Sequence, residues 1–265
     1  MTRTTGTATW LHFGTTDMAG AKAFYSGLFG WEFEDSGPET HHYQMITKDG
    51  ALVGGGMDTT GIPGPDGGAL PSRWDTFLAV DDVDARVEKA QDAGGTLLMP
   101  VAAAGSAGGY GMVQDPTGSV VGLWQGCGIE GYEFTGKPGS PVWFELMTHG
   151  FDEASSFYSA VVDADLRPMS EPMEDDSFRY VTNGPGESAS WGLGDATGVM
   201  PPEAAGWRVY FGVNSSDAAI ATVLELGGQV LDGPVDSPFG RIATIAAPDG
   251  ATFQICAMSE AVPEG

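Results

Sequence analysis

The chain contains the same sequence pattern twice, 133 residues apart, and this duplication limits its fold more than any other feature. Trp10 of "ATWLHFG" corresponds to Trp143 of "PVWFELM". A period of this length is too long for a solenoid and indicates two homologous domains, which a length of 265 residues also favours. Further matches are Phe24-Tyr25 with Phe157-Tyr158, Trp74 with Trp207, Gly94-Gly95 with Gly227-Gly228 and, at an offset of 132, Pro116 with Pro248.

The boundaries of the repeat predict how the chain is divided. We expect domain 1 at residues 1–125 and domain 2 at residues 141–258. The segment between them, "GCGIEGYEFTGKPGS" at 126–140, is rich in glycine and has no sustained periodicity, which is typical of a linker. Residues 259–265 form a short polar tail.

Each half predicts strand, helix and further strands, twice over. The stretch "ATWLHFG" alternates as a strand does, and "MAGAKAFYSGLFG" has the apolar spacing of a helix. Asp17 is placed to cap the start of this helix, and Gly30 to end it. The order predicts two βαβββ modules in each domain and four in the chain.

Composition restricts the partners. The chain has 36 acidic and 11 basic residues, a net charge of −25, and this field repels nucleic acids and anionic membranes. No apolar run approaches the ~20 residues of a membrane span, and "MTRTTGTATW" lacks the apolar core of a secretory signal. We therefore expect a soluble cytoplasmic protein, a monomer or homodimer, with a small organic molecule as its partner.

Three stretches carry a resemblance to a known family. "FYSGLFGWEF", "AVDDVDARVEKAQDAGG" and "QDPTGSVVGLW" resemble the vicinal oxygen chelate superfamily, which includes glyoxalase I, extradiol dioxygenases and bleomycin-resistance proteins. Two-domain actinobacterial glyoxalase-like proteins are the most similar subgroup. The resemblance implies an α+β fold with two tandem glyoxalase-like domains. In each, two βαβββ modules curl a mixed sheet into a cup with the helices outside.

Metal-dependent members of this family hold a divalent ion in the cup with His, Gln or Glu side chains. These ligands come from the first strand of each module and from the last strand, and about three are needed. In the first half the corresponding positions are His12, Asp75 and Gly122. Glycine has no ligand to offer, so Gln125 or Gln44 would have to complete the set.

In the second half the corresponding positions are Glu145, Arg208 and Gln254. Arginine has no lone pair for a metal, and an ion pair between Arg208 and Glu145 is the simpler expectation. Neither half therefore carries the intact three-ligand pattern. A divalent metal stays possible as a cofactor, but it is not favoured.

These positions are the predicted functional residues. Glu145 is the candidate catalytic residue, since a carboxylate can move a proton. The candidate ligand-binding residues are His12, Asp75, Arg208, Gln254, Tyr180, Trp191 and Trp124. An aromatic wall with a few polar anchors suits a small flat organic ligand. His41, His42 and His149 are expected at the surface, and packing is the expected role of the four repeated tryptophans.

Three functions remain open. The leading one is a small-molecule-binding protein of the bleomycin-resistance type with degenerate metal sites. The alternatives are a metal-dependent glyoxalase or lyase-type enzyme acting on a small carbonyl compound, and an oxygenase-like tailoring enzyme. The glycine- and proline-rich loops at 58–73 and 194–206 are candidate gates to the cups.

Overall fold

A computed structural model describes residues 3–64, 67–169 and 178–262. Both halves have the predicted order of elements. The first half comprises β1 (Ala8–Thr15), α1 (Met18–Phe29), β2 (Glu32–Asp35), β3 (Gln44–Lys48), β4 (Ala51–Asp58), β5 (Arg73–Ala79), α2 (Val83–Asp92), β6 (Thr96–Ala103), β7 (Gly108–Gln114) and β8 (Val120–Gly126). The second half comprises β9 (Pro141–Thr148), α3 (Phe151–Val162), β10 (Arg167–Pro168), β11 (Tyr180–Thr182), β12 (Gly192–Asp195), β13 (Gly206–Gly212), α4 (Ser216–Glu225), β14 (Gln229–Ser237), β15 (Gly240–Ala246) and β16 (Thr252–Ala257).

The strands form two sheets of eight. Their orders are β2-β3-β4-β1-β5-β8-β7-β6 and β10-β11-β12-β9-β13-β16-β15-β14. Each sheet is mixed, because β1 pairs in parallel with β4 and β5 with β8, whereas neighbours such as β7 and β8 are antiparallel. The predicted α+β fold with four βαβββ modules is confirmed.

Helix α1 shows how local sequence sets these elements. The side chain of Asp17 accepts a hydrogen bond from the backbone N–H of Gly20 at 2.9 Å, which caps the helix start. Gly30 ends the helix in the left-handed conformation, with φ of 70°. Both predicted cap positions are confirmed.

Packing divides the chain into two compact units, and each unit combines one module from each half. The first unit comprises residues 1–10, 75–131 and 143–208, and the second comprises 11–74, 132–142 and 209–265. The first unit therefore contains the second module of the first half and the first module of the second half. The domain boundaries at 125 and 141 follow the sequence repeat and stay a prediction.

In the core of the first unit, hydrogen bonds join α2 to the C-terminal end of α3, and others join Tyr158 of α3 to the sheet residue Trp207 and to Asp115. The buried guanidinium of Arg86 donates to the carbonyl of Val161 at 2.9 Å and to Asp163 at 2.6 Å. Tyr158 accepts a hydrogen bond from the indole of Trp207 at 2.9 Å and donates to Asp115, also at 2.9 Å.

The core of the second unit is aromatic. Tyr25 accepts a hydrogen bond from the indole N–H of Trp74 at 3.0 Å, which repeats the bond between Trp207 and Tyr158. The rings of Phe211 and Phe253 lie 5.7 Å apart and pack on this pair and on α1. Edge-to-face contacts of this kind add to the free energy of area burial.

Among the described residues, no helix is long and apolar enough to cross a membrane.

Hydrogen bonds to backbone groups of the predicted linker hold its second part against the second unit. The N–H groups of Glu133 and Phe134 donate to the carbonyl of Leu52 at 2.7 and 2.8 Å. The carbonyl of Gly139 accepts from the indole of Trp31 at 2.8 Å. Residues 132–142 are therefore packed as part of the second unit.

Candidate functional site

Strand alternation separates the side chains that pack on the helices from those on the opposite face of each sheet, which we call the open face. In β1, the ring of Phe13 packs on Tyr25 of α1, so His12 lies on the open face. In β9, Phe144 and Leu146 are buried, and the half-buried Glu145 between them lies on the other face.

In the first unit, Glu145 belongs to a hydrogen-bonded cluster with two aromatic residues. The hydroxyl of Tyr180 donates to Oε1 of Glu145 at 3.0 Å, and it accepts from the indole N–H of Trp143 at 2.9 Å. Gly192 lies directly across from Glu145 in the strand register. A Cβ atom at Gly192 would lie 2.0 Å from the Tyr180 hydroxyl oxygen, so this glycine makes room for the ring.

The second unit contains the same arrangement with a different polar residue. His12 Nδ1 lies 3.3 Å from the hydroxyl of Tyr43, and the two rings are stacked with centroids 5.7 Å apart. Gly55 is opposite His12 in the register, and a Cβ there would lie 2.3 Å from the Tyr43 ring. Each unit therefore holds a tyrosine against a glycine and points its hydroxyl at the first-strand position.

Tyr43, Gly55 and Gly192 were not among the residues predicted from the sequence. The signal was present, because Tyr43 and Gly55 have the same spacing as Tyr180 and Gly192. The offset between these two pairs is larger than the 133 residues that separate the repeated tryptophans, so an alignment at 133 does not match them.

Arg208 does not pair with Glu145. Its Nη2 donates to the sulfur of Met200 at 2.9 Å and to the carbonyl of Ala204 at 3.0 Å. Among the residues described, no ion pair joins Arg208 to a carboxylate, so the expected ion pair with Glu145 is wrong. The guanidinium instead holds the loop before β13, part of the predicted gate at 194–206.

The other first-half positions lie in the first unit and are packed. Asp75 is 7% exposed. Gly122 lies opposite Phe77 in the register, and a Cβ at Gly122 would lie 2.1 Å from the Phe77 ring. The position from which the family draws its third ligand is therefore covered by a phenyl ring. The other predicted gate, 58–73, includes residues 65–66, which lie outside the described residues.

The tryptophans proposed as ligand contacts are enclosed by protein. Trp191 is fully buried and donates its indole N–H to the carbonyl of Gly6 at 2.8 Å. Trp124 is stacked on Trp10 with centroids 6.4 Å apart and donates to the carbonyl of Ile129. These contacts give both rings a packing role, whereas Tyr180 lies at the Glu145 cluster.

Gln254 lies in the second unit. The flanking Phe253 and Ile255 are buried in the core, so the side chain of Gln254 lies on the open face. Gln254 is 4% exposed, and its Oε1 has no hydrogen-bond partner among the described residues. A buried acceptor without a partner is costly, and it fits a contact that a ligand or water completes.

The remaining polar candidates make local contacts. Gln125 accepts from the backbone N–H of Val83, and Gln44 donates to the carbonyl of His42. The buried Oε1 of Gln44, like that of Gln254, has no hydrogen-bond partner among the described residues. The backbone N–H of Gly37 and, to a smaller extent, His42 at 3.0 Å hold the pKa of Asp35 below its usual value. His41, His42 and His149 are exposed, as predicted.

The donor set does not fit a three-ligand metal centre. In the described ranges, no three His, Cys, Asp or Glu side chains come together in a way that could hold an ion. In the family positions, Gly122 lies beneath a ring and Arg208 has no lone pair. What the sheets offer instead is a carboxylate or an imidazole beside an oriented phenol.

Comparison with known proteins extends over nearly the whole chain. The family model described as Glyoxalase/Bleomycin resistance protein/Dioxygenase superfamily matches residues 8–123, and the one described as Glyoxalase-like domain matches 143–256. The curated relative "Putative glyoxylase CFP32" from Mycobacterium tuberculosis is 37% identical, over 94% of this chain and 94% of its own length. "Anthracycline biosynthesis protein DnrV" from Streptomyces peucetius is 32% identical, over 97% of this chain and 95% of its own.

Solved structures show the same fold at low sequence identity. The Mn(II)-bound glyoxalase from Novosphingobium aromaticivorans superposes with a TM-score of 0.64 at 16% identity, over 97% of this chain and 84% of that one. A catechol 2,3-dioxygenase superposes with a TM-score of 0.61 at 14% identity, over 99% and 96% of the two chains.

Proposed function

The chain belongs to the glyoxalase/bleomycin resistance protein/dioxygenase superfamily, and on this premise we propose that it binds a small organic molecule without a three-ligand metal centre. We place the binding site on the open face of the first unit, at Glu145 and Tyr180. The observation that carries the proposal is the hydrogen-bonded chain from Trp143 through Tyr180 to Glu145. The two family models confirm the family that the sequence motifs resemble.

The geometry of this cluster supports ligand binding over plain packing. Tyr180 and Glu145 are half-buried, so neither is enclosed in the way that Trp191 is. The indole N–H of Trp143 donates to the hydroxyl of Tyr180 and so orients the hydrogen bond that Tyr180 donates. Gly192 has no side chain, which leaves space for the ring of Tyr180. A polar group that is oriented before binding lowers the entropy cost of recognition.

The relatives' names agree with this class of function. One relative is named for a glyoxylase and another for anthracycline biosynthesis. Both names describe proteins that handle small organic molecules. The sequence predicted such a partner from an aromatic wall with a few polar anchors and from the family resemblance.

A lyase-type enzyme acting on a small carbonyl compound is the second candidate, and one observation favours it. The hydroxyl of Tyr180 and the carboxylate of Glu145 lie in hydrogen-bond contact, which provides an acid and a base at one place. In this reading Glu145 removes a proton beside the carbonyl, and Tyr180 orients the carboxylate.

Tryptophan fluorescence during titration with a panel of aromatic and cationic compounds tests the first proposal. We expect saturable binding that Tyr180→Phe weakens by roughly 5- to 10-fold, since one hydrogen bond in the cluster is lost. Tyr110→Phe is the matched control, because it removes the same hydroxyl from β7, outside this cluster. Equal affinity for Tyr180→Phe and the wild type would contradict the proposed site.

Elemental analysis after loading with nickel, zinc, manganese or iron tests the metal-free premise. We expect less than about one-tenth of an ion per chain, because the family positions lack a third donor. One retained ion per chain would favour the enzyme and would show that the donor set has been misassigned.

A further inference from the structure

We propose that the second unit carries a docking site for a basic amphipathic helix of a partner protein. The site is an apolar surface at the hairpin that joins β14 to β15. Its side chains are Val235, Phe239, Met258 and Val262, which we call the hairpin patch. The proposal uses none of the residues of the proposed ligand site, and it does not depend on the proposed function.

The side chains of the hairpin patch are large, apolar and in contact with solvent. Val235, Phe239 and Met258 are 57%, 58% and 59% exposed, and Val262 is 42% exposed. Apolar side chains that are exposed singly are ordinary, but several of them in one place mark an interaction surface.

Backbone contacts bring the end of the chain to the hairpin. The N–H of Val262 donates to the carbonyl of Ser237 at 3.1 Å, and Ser237 lies midway between Val235 and Phe239. The hydroxyl of Ser237 accepts from the N–H of Phe239 at 3.2 Å and donates to the carbonyl of Gly240 at 2.7 Å. The turn that carries the phenyl ring is therefore held in one conformation.

The same hairpin packs closely on β16, next to Met258. A Cβ atom at Gly240 would lie 2.7 Å from the carbonyl oxygen of Ala257, so the two backbones are in contact. Phe239 and Met258 are the chain neighbours of these two residues. The Sγ of Cys256 donates to the carbonyl of Phe239 at 3.5 Å. An apolar surface on a fixed backbone loses little conformational entropy when a partner binds.

The size of the hairpin patch favours a short segment over a second copy of the chain. Four side chains that are each about half exposed present on the order of 300 Å² of apolar surface. A stable complex of two rigid proteins buries about 800 Å² on each partner. An amphipathic helix binds through a few anchor side chains that lie one turn apart, and these can cover a patch of this size.

The edge of the sheet disfavours a partner that adds a strand. β14 is the last strand of its sheet and contains Pro234, which has no N–H to donate. Its pairing with β15 shifts register twice, between Val230 and Asp232 and between Asp232 and Val235. Proline and bulges hinder strand pairing, so the partner has to be held by side chains, and a helix can present an apolar row of them on one face.

The charge around the hairpin patch indicates a cationic partner. Residues 209–265 contain seven acidic residues and a single basic one, Arg241. The guanidinium of Arg241 already contacts Asp236 at 2.6 Å and Asp217 at 3.3 Å, and Asp232 is exposed. A second copy with a net charge of −25 would be repelled, whereas a helix with lysine or arginine beside its apolar face would be attracted.

A short peptide of leucine and lysine, with its leucines on one face of a helix, is the probe that tests the proposal. Its binding to the full chain is measured by the fluorescence anisotropy of a label on the peptide. One control peptide has the same composition in an order that spreads the leucines around the helix, and a second has glutamate in place of lysine. We expect the probe to bind at least about 10-fold more tightly than either control.

Phe239→Ser combined with Met258→Ser removes two anchors from the hairpin patch without changing the charge of the protein. This double variant should bind the probe roughly 10- to 100-fold more weakly than the wild type. Val199→Ser is the matched control, because Val199 is 56% exposed and belongs to the first unit, and it should leave the affinity unchanged. Circular dichroism would establish that the variants are folded.

Two results would overturn the proposal. Equal binding of the two leucine–lysine peptides, or equal binding by the double variant and the wild type, would show that net charge alone attracts the probe. Sedimentation velocity of the chain by itself tests the other occupant. A self-association that the double variant abolishes would identify a second copy of the chain as the partner of the hairpin patch.

Discussion

The glycine beneath Tyr180 provides the sharpest test of how the site is built. Alanine at position 192 would place a Cβ atom 2.0 Å from the hydroxyl oxygen of Tyr180 and 2.4 Å from its Cζ. Real Cβ contacts essentially never fall below 3.0 Å, so the ring would have to withdraw by more than about 1 Å. That movement would break the hydrogen bonds of 3.0 and 2.9 Å that Tyr180 makes with Glu145 and Trp143.

The cost of Gly192→Ala follows from these contacts. Overpacking costs about 1–3 kcal/mol, and each lost hydrogen bond adds about 0.5–1.5 kcal/mol. The reduced freedom of the unfolded chain returns about 0.4–1 kcal/mol. We expect a net loss of about 1–6 kcal/mol in the free energy of unfolding, measured by urea titration with circular dichroism.

A double-mutant cycle isolates the cause. In a Tyr180→Ala background the ring is absent, and Gly192→Ala should become neutral or slightly stabilising. Gly109→Ala is the matched control, since the nearest atom to its Cβ would lie at 3.3 Å, and it should change stability by less than about 1 kcal/mol. If Gly192→Ala costs the same in both backgrounds, the tyrosine does not rest on the glycine and the reasoning fails.

Three further substitutions test the scaffold and the metal site. Tyr158→Phe should cost about 1–3 kcal/mol in urea unfolding, because it leaves the carboxylate of buried Asp115 one hydrogen bond short. Arg86 lowers the pKa of Asp81 to about 2, so this stabilisation is present above the unfolded pKa of about 4 and is lost as pH falls towards 2. Arg86→Met should therefore cost about 1–2 kcal/mol at pH 7, reduced by solvent screening, and should flatten the acid limb of a stability–pH profile. Gly122→Glu should retain no metal in elemental analysis and should lower the melting temperature, because a phenyl ring covers that position.

Much of the fold could be predicted because the signals are local and occur twice. The alternation in "ATWLHFG", the cap at Asp17 and the stop at Gly30 each determine one element by its own residues. The duplication then fixes the number of modules. The grouping of modules into compact units could not be predicted, since it depends on contacts such as Arg86 with Asp163, between residues far apart in the chain.

The site was harder to predict, because it depends on side-chain contacts and burial, which the sequence does not show. The alignment gave Glu145 and Arg208 as corresponding family positions and predicted an ion pair between them that the structure does not contain. Trp191 was expected in an aromatic wall for a ligand, but it is fully buried and packs inside the protein. Tyr43 was passed over, because its partner Gly55 matters only through the absence of a side chain.

The two copies differ mainly on one face of the sheets, and this has a physical cause. On the helix face, both copies keep a tyrosine that accepts a hydrogen bond from a tryptophan, Trp74 to Tyr25 and Trp207 to Tyr158. Close packing there penalises a change at either residue.

On the open face, corresponding positions carry unlike residues. His12 corresponds to Glu145, and Gly122 to Gln254. Each of these differences alters the groups that the open face carries. The covered Gly122 and the polar Gln254 are therefore two outcomes of one duplication. In the copy at residues 1–125 a phenyl ring covers this family metal position, and in the copy at 141–258 the corresponding position carries the polar side chain of Gln254.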